Sequence, residues 1–517
     1  MKKILVNALI IIVASLIFNT VNISFRVYLS NKIGTEGIGL YQLITSVYMV
    51  ALLFVVSGIN TAVSRLVAEE GGRASFPISR ALIVRAVSVS FLYSIPAFLF
   101  LFLGAEFIGS FLLDDERTVF ALQLLAVGMP FAGVSACIKG YFYAVSKVIR
   151  PIGSQAVELG VQILIIVKIM DYFALAGPEY ACAAIAVGGT IAELFSCMYL
   201  LTIYRFERKK NDGGIAEIFY QKRILKRLLY ISFPISAGSL IRTCLKTLEN
   251  IMTPIGFEKY GFTKKAALEE YGKIHGMVMP VLLFPASVIL AFSSLLVPDI
   301  SEANALGQKK RVHSSVERAL QLTFILSILV SGLFFFFSEK LSSTIYEGAG
   351  CGFLMKALAP IIPLIYVGVI ADELLQGLDQ QISVLQYSVA EAVTRIALIF
   401  YLLPIKGVVG LVIVIYASNL FSLVLSLQRL LKVTQLGLKV RNWIVKPILS
   451  MAGSGSVAIL WMDFTGVNRL PDIIYIVTGM LSAGILYFIL LVRCGCLTAA
   501  DFKWFRLILK GSASKKP

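Results

Sequence analysis

Apolar runs of twenty or more residues follow one another along this 517-residue chain, separated by short charged stretches. A helix needs about 20 consecutive apolar residues to cross a bilayer. In hydrocarbon its backbone must also satisfy its own hydrogen bonds, which α-helices do. Such a chain has one outlet for its apolar surface, a bundle of spanning helices. Composition agrees: 58% of the residues are hydrophobic and 15% charged, against about 45–50% and about 25% in soluble domains. A secreted disulfide scaffold, a disordered chain and an ordinary soluble enzyme are thereby excluded. No segment is long and polar enough for a separate soluble domain.

Reading apolar runs between charge clusters gives fourteen candidate spans, at roughly 4–29, 38–64, 81–104, 118–145, 151–170, 180–204, 227–252, 272–297, 314–337, 354–378, 382–404, 407–430, 441–462 and 471–492. The first is too long for a typical signal sequence and is read as a retained helix. Basic residues check the count, because Lys and Arg favour the cytoplasmic side of short loops. With the N-terminus inside, 31 of the 47 basic residues fall on cytoplasmic segments, ten on outer ones and six deep in spans. Both termini are therefore expected in the cytoplasm of a multi-pass protein of the cell membrane. The net charge of +17 records topology and calls for no nucleic acid. The tail 495–517 alternates Phe502, Trp504 and Phe505 with Lys503 and Arg506. It reads equally as an amphipathic interfacial helix or as a frayed basic end.

The chain repeats itself weakly. Val63-Ser64-Arg65-Leu66 and Val297-Pro298-Asp299-Ile300 end spans two and eight at an offset of 234. Glu158 and Glu391 lie on spans five and eleven at an offset of 233. Six spans per unit keep both units in one orientation, the arrangement of transporters that bind substrate between two halves. The expected fold is an all-α polytopic membrane protein of about 14 transmembrane helices. Two six-helix bundles, 1–220 and 221–435, are related by a pseudo-two-fold axis, followed by an extra helix pair at 436–494.

Charged groups kept inside a membrane face protein or water. The basic ones are Arg26, Lys139, Lys168, Arg242, Lys246 and Arg395; the acidic ones are Glu158, Glu193, Glu249, Asp372, Glu373 and Glu391. Arg242, Lys246 and Glu249, spaced i, i+4, i+7, share a face of span seven. A cationic pair there suits a phosphate or diphosphate, with Arg26 of span one as a third cation and Lys139 as a further substrate-binding candidate. Internal ion pairing, with Glu249 or Glu158, is the competing reading. Glu391 and Arg395 have the favourable order for an intrahelical pair. Glu391, with Arg395 as charge partner, and Asp372 and Glu158 are the candidates for a coupling cation, sodium or proton. Prolines at 96, 130, 234, 280, 285, 298, 360 and 363 permit kinks. Seven scattered cysteines and two histidines, His275 and His313, give no metal or haem site. No phosphate loop, GxSxG or HExxH occurs, so neither a cofactor nor an enzymatic activity is expected.

Several segments carry a family resemblance: Phe25-Arg26 through Gly34-Thr35-Glu36-Gly37-Ile38-Gly39-Leu40-Tyr41, then Gly58-Ile59-Asn60-Thr61-Ala62-Val63-Ser64-Arg65, and Leu296-Val297-Pro298-Asp299-Ile300-Ser301-Glu302-Ala303 running into Gly307-Gln308-Lys309-Lys310-Arg311. In order and spacing they resemble the multidrug/oligosaccharidyl-lipid/polysaccharide exporter superfamily, in the polysaccharide flippase branch of the stage V sporulation protein B family. The MurJ lipid II flippases are more distant relatives. The resemblance implies a monomeric flippase for undecaprenyl diphosphate-linked oligosaccharides or peptidoglycan precursors such as lipid II, with a possible link to sporulation. It places Arg26 on the second of two first-span arginines that meet the diphosphate in MurJ proteins. The first falls on Thr20, and the arginine pair at the inner end of their second span is replaced by Ser64-Arg65. The last two spans would form a groove for the lipid tail. A cation-coupled multidrug exporter of the same superfamily is the alternative, disfavoured by the fourteen spans and the Arg242–Lys246 pair.

Overall fold

The computed structural model describes residues 2–72, 80–209, 221–346, 348–466 and 471–497. The tail from residue 498 onward, with its expected amphipathic pattern, lies outside them. Among the described residues every regular element is a helix, and nine helices are long and apolar enough to cross a membrane, ten if the bent pair Glu116–Ala126 and Met129–Ala144 forms one span. Large apolar side chains stand out from the helices, such as Leu175 at 91% and Phe464 at 92% exposure. For a protein in lipid these are the surfaces in contact with acyl chains.

The first helix, α1 (Lys2–Gly72), joins the first two expected spans. Its 71 residues would extend far beyond a hydrocarbon core of about 30 Å. Gly34 breaks it, with φ 71° and ψ −178°. That conformation is open to glycine and costly for a residue with a Cβ. The outer loop expected at 30–37 is therefore a single non-helical residue, because helical hydrogen bonding is kept up on both sides of it.

The chain continues through α2 (Arg80–Leu103), α3 (Met129–Ala144), α4 (Ile149–Ala176), α5 (Pro178–Lys209), α6 (Gln221–Tyr260), α7 (Lys264–Tyr271), α8 (Ala286–Ala305), α9 (Lys309–Ile345) and α10 (Ile362–Gly377). It ends with α11 (Gln381–Thr434), α12 (Lys446–Thr465) and α13 (Asp472–Arg493). Helix α11 has its own break at Gly407, three residues after Pro404. The span expected at 272–297 is interrupted: a π-helical stretch Gly272–Val278 and a short helix Met279–Leu283 precede α8, which starts after Pro285. Proline cannot donate the backbone hydrogen bond that continuity would require.

The chain forms two compact units. One comprises Met1–Ile255 and Phe262–Gly272; the other comprises Gly256–Gly261 and Lys273–Pro517. Helix α6 thus spends almost its whole length in the first unit. The repeat boundary expected near residue 221 concerns ancestry, which compactness does not address.

In the first unit, hydroxyls inside the helices bond back to carbonyls four residues earlier, as Ser57 does to Leu53 at 2.8 Å and Thr253 to Glu249 at 2.8 Å. This satisfies polar atoms where water is absent. An ion-pair network fixes α7 near the α1 break. Arg117 pairs with Asp115 at 2.7 Å and with Glu36 at 2.8 Å, Lys265 reaches Glu36 at 3.6 Å, and Lys264 reaches Asp114 at 3.0 Å. Backbones meet there closely. A Cβ on Gly39 would strike the Leu268 carbonyl, and one on Gly272 would strike the carbonyl of Thr35.

In the second unit, α12 and α13 pack on α9 through Ile325, Phe337, Met451, Met462, Ala483 and Tyr487. The Tyr487 hydroxyl donates to the Ile325 carbonyl at 2.9 Å. This burial gives the last helix pair a fixed seat and leaves its other side apolar and exposed.

A candidate anion site on α6 and two buried charge clusters

Helix α6 carries an unusual density of polar residues for an intramembrane helix. Ser232, Ser236, Thr247, Glu249 and Asn250 are buried, whereas Arg242 and Lys246 are exposed. The buried groups explain the helix's rotation. Thr247 donates its hydroxyl to the Ser46 carbonyl at 2.9 Å, and Asn250 Nδ2 donates to Ser46 Oγ at 2.7 Å. Lower on the same seam Ser57 Oγ meets Ser236 Oγ at 3.4 Å, and Gly58 of α1 lies against the backbone of Ser232. Small and hydroxylated residues let two helices approach and exchange hydrogen bonds in an apolar medium.

With that face committed to α1, Arg242 and Lys246 lie on its rim. Lys246 Nζ is 2.8 Å from Glu249 Oε1, with the lysine side chain 49% exposed and the glutamate 5%. Arg242 makes no ion pair or hydrogen bond among the described residues. Arg26, on α1 and half-buried, makes none either. A charged guanidinium within an intramembrane helix is costly against lipid, so an exposed Arg242 is expected to face water or an anionic partner. Chemically the rim offers a planar fork of donors and a mobile ammonium, both suited to anionic oxygens.

Lys139 is engaged elsewhere in the first unit. Its ammonium lies 3.6 Å from Glu158 Oε2, which also accepts from the Ser196 hydroxyl at 3.3 Å. Glu193 is within electrostatic reach of both charges, and Tyr48 within reach of both glutamates. The cluster draws on α1, α3, α4 and α5. Its acids outnumber its one lysine.

In the second unit Arg395 pairs with Glu391 one turn earlier on α11, and its Nε donates to Ser418 Oγ at 2.8 Å. Asp372 on α10 accepts from the Ser426 hydroxyl at 2.6 Å and feels Glu391 and Glu373. The Arg395 and Glu391 side chains are 16% and 22% exposed. Removing one partner of such a pair strands the other's charge, which costs about 3–5 kcal/mol. Arg395→Gln is therefore expected to lower thermal stability in detergent markedly, and adding Glu391→Gln to restore most of the loss.

The sequence pointed to the members of these clusters but not to all of their neighbours. Ser46, Asn250 and Tyr271 around Glu249 were not singled out. The available signal was an asparagine beside a glutamate inside an apolar run.

The all-helical fold is shared with solved structures of transporters and flippases of the multidrug/oligosaccharidyl-lipid/polysaccharide exporter superfamily. The fold resembles a structure of lipid II flippase MurJ in an inward closed conformation, with a TM-score of 0.68 and 11% identity, covering 96% of this chain and 99% of that one. It also resembles an inward-facing multidrug resistance transporter of the MATE family, with a TM-score of 0.58 and 12% identity, covering 83% and 100% of the two chains. The chain belongs to the polysaccharide biosynthesis protein family, whose profile matches residues 4–304. It is 25% identical over 444 residues to stage V sporulation protein B of Bacillus subtilis (strain 168), spanning 84% of this chain and 85% of the relative. Against lipid II flippase MurJ of the same organism the identity is 22% over 416 residues, 74% of each chain. The chain is thus a multi-pass membrane protein of this family, and its homologues indicate a flippase or transporter of the superfamily.

Proposed function

We propose that the protein is a flippase moving a polyprenyl diphosphate-linked sugar, an oligosaccharide or a peptidoglycan precursor such as lipid II, from the inner to the outer leaflet by alternating access. The observation that carries this reading is the exposed cationic rim of α6, where Arg242 has no partner among the described residues and Lys246 is half exposed. Arg242 and Lys246 would receive the diphosphate, with Arg26 as an additional cation. Lys139, held by Glu158, would contribute only if that pair opened. The prenyl chain would stay in lipid beside α12 and α13. Transport involves no covalent chemistry in this reading, both termini face the cytoplasm and the working unit is a monomer. Asp372, Glu391 and Glu158 are the acids available to a coupling cation, with Arg395 as the charge partner of Glu391.

Native mass spectrometry of the purified protein tests the substrate class. A prenyl diphosphate-linked N-acetylglucosamine is expected to bind in preference to a neutral prenyl lipid of the same length. Equal binding of both lipids, with cationic dyes binding instead, would overturn the reading in favour of the multidrug exporter. The acidic cluster of Glu158 and Glu193 is the feature that speaks for that alternative.

A further inference from the structure

Before its break at Gly34, helix α1 is exposed on two faces that differ in chemistry. At 3.6 residues per turn, Ser15, Asn19, Asn22 and Arg26 fall within an arc of about 60°. Ser15, Asn19 and Asn22 are exposed and Arg26 is half-buried. Roughly opposite stand Val13, Ile17 and Val21, which are 47%, 56% and 36% exposed. Between the two faces the helix is partly covered, at Leu16 and Ile23 on one flank and at Phe18 and Phe25 on the other. The apolar face suits acyl chains, and its two hydroxyls are used up within the helix. Thr20 donates to the Leu16 carbonyl at 2.9 Å, and Ser24 donates to the Thr20 carbonyl at 3.0 Å. The amides of Asn19 and Asn22 have no such outlet, since neither makes a hydrogen bond among the described residues. Each offers two donors and two acceptor lone pairs, and leaving these empty against hydrocarbon is costly. This face is therefore expected to meet water or a polar ligand.

The residue types narrow the ligand. An uncharged amide pairs with groups that both donate and accept, as sugar hydroxyls and acetamido groups do. Arg26, on the same face, supplies a planar fork for a phosphate. Asn22 lies four residues from Arg26 and Asn19 seven, about 6 and about 10.5 Å along the axis. One helical turn is close to the width of a pyranose ring. A sugar bonded to a phosphate at Arg26 thus comes alongside Asn22, and its acetamido arm or a second sugar comes alongside Asn19. We propose that Asn19 and Asn22 form a sugar subsite, which hydrogen-bonds the hydroxyl and acetamido groups of a saccharide whose phosphate lies at Arg26. The inference rests on the lipid-linked substrate proposed above and adds discrimination by the sugar to discrimination by charge.

Native mass spectrometry of the full chain in detergent tests it with three probes. They are prenyl diphosphate-linked N-acetylglucosamine, the same prenyl diphosphate capped as a methyl ester, and the prenyl alcohol. The methyl ester keeps the charge of the diester and lacks the sugar. Wild type is expected to prefer the sugar-linked probe to the methyl ester by about 10–100-fold, the sum of two neutral hydrogen-bonding side chains. Asn19→Leu and Asn22→Leu should each shrink that preference by about 3–10-fold. The double variant should bind both diphosphates alike, with its affinity for the methyl ester unchanged. Equal wild-type affinity for the sugar-linked probe and the methyl ester overturns the inference and leaves the diphosphate reading standing. A preference that survives in the double variant, or a loss shared equally by both diphosphates, also overturns it. A dimer that Asn22→Leu dissolves would place a second copy of the chain on this face, with the same consequence. If neither diphosphate outcompetes the prenyl alcohol, the anion reading fails and this inference fails with it. The wild-type comparison needs no variant to fold.

Discussion

Arg242→Ala lowers flipping of a prenyl diphosphate-linked sugar in proteoliposomes by about 10–100-fold, while expression and thermal stability stay at wild-type level. The magnitude follows from the loss of charge-assisted hydrogen bonds worth about 1.5–3 kcal/mol, at about 1.4 kcal/mol per tenfold. The spared stability follows from the structure, since Arg242 pairs with nothing among the described residues. Arg242→Lys should fall between the two, because an ammonium restores charge without the planar fork. Wild-type flipping by the alanine variant would remove Arg242 from the substrate's path.

Gly39→Val is expected to loosen the seat of α7 on α1. A side chain there meets the Leu268 carbonyl, a backbone atom that cannot turn aside, just where α7 is seated on α1. Overpacking of this kind costs about 1–3 kcal/mol, and undocking α7 would also disturb the pairing of Lys264 and Lys265. Thermal unfolding in detergent measures the loss. Gly238→Ala on α6 is the control, since a Cβ there meets nothing within 4 Å; it should leave stability unchanged or slightly raised. Equal melting of both variants would show that the close approach at Gly39 contributes nothing.

Much of this was readable from local pattern. Uninterrupted apolar runs specify spanning helices irrespective of what they pack against, and the i, i+4 spacing of Glu391 and Arg395 anticipates their pair. What required three dimensions was the meeting of groups far apart in the chain. Lys139 and Glu158 come from successive helices whose relative rotation no local rule sets. Segment 253–271 reads as an outer loop, yet it contains α7 and brings Tyr271 within electrostatic reach of Glu249. An interruption between the first two spans is legible from the sequence as residues 30–37, but its contraction to Gly34 alone is not. Asn31, Lys32, Thr35 and Glu36 look like loop residues, and helical hydrogen bonding overrode that preference.

That brevity has a mechanical meaning. A loop of several residues is slack rope, and either span could shift along its axis without the other responding. One glycine between two long helical limbs is an elbow joint. Its length is fixed and only its angle is free, so a tilt imposed on the limb bearing Arg26 reaches the limb bearing Ser46 and Gly58 as a rotation about Gly34. A few residues inserted just before Gly34 would lengthen the joint and disconnect the lever.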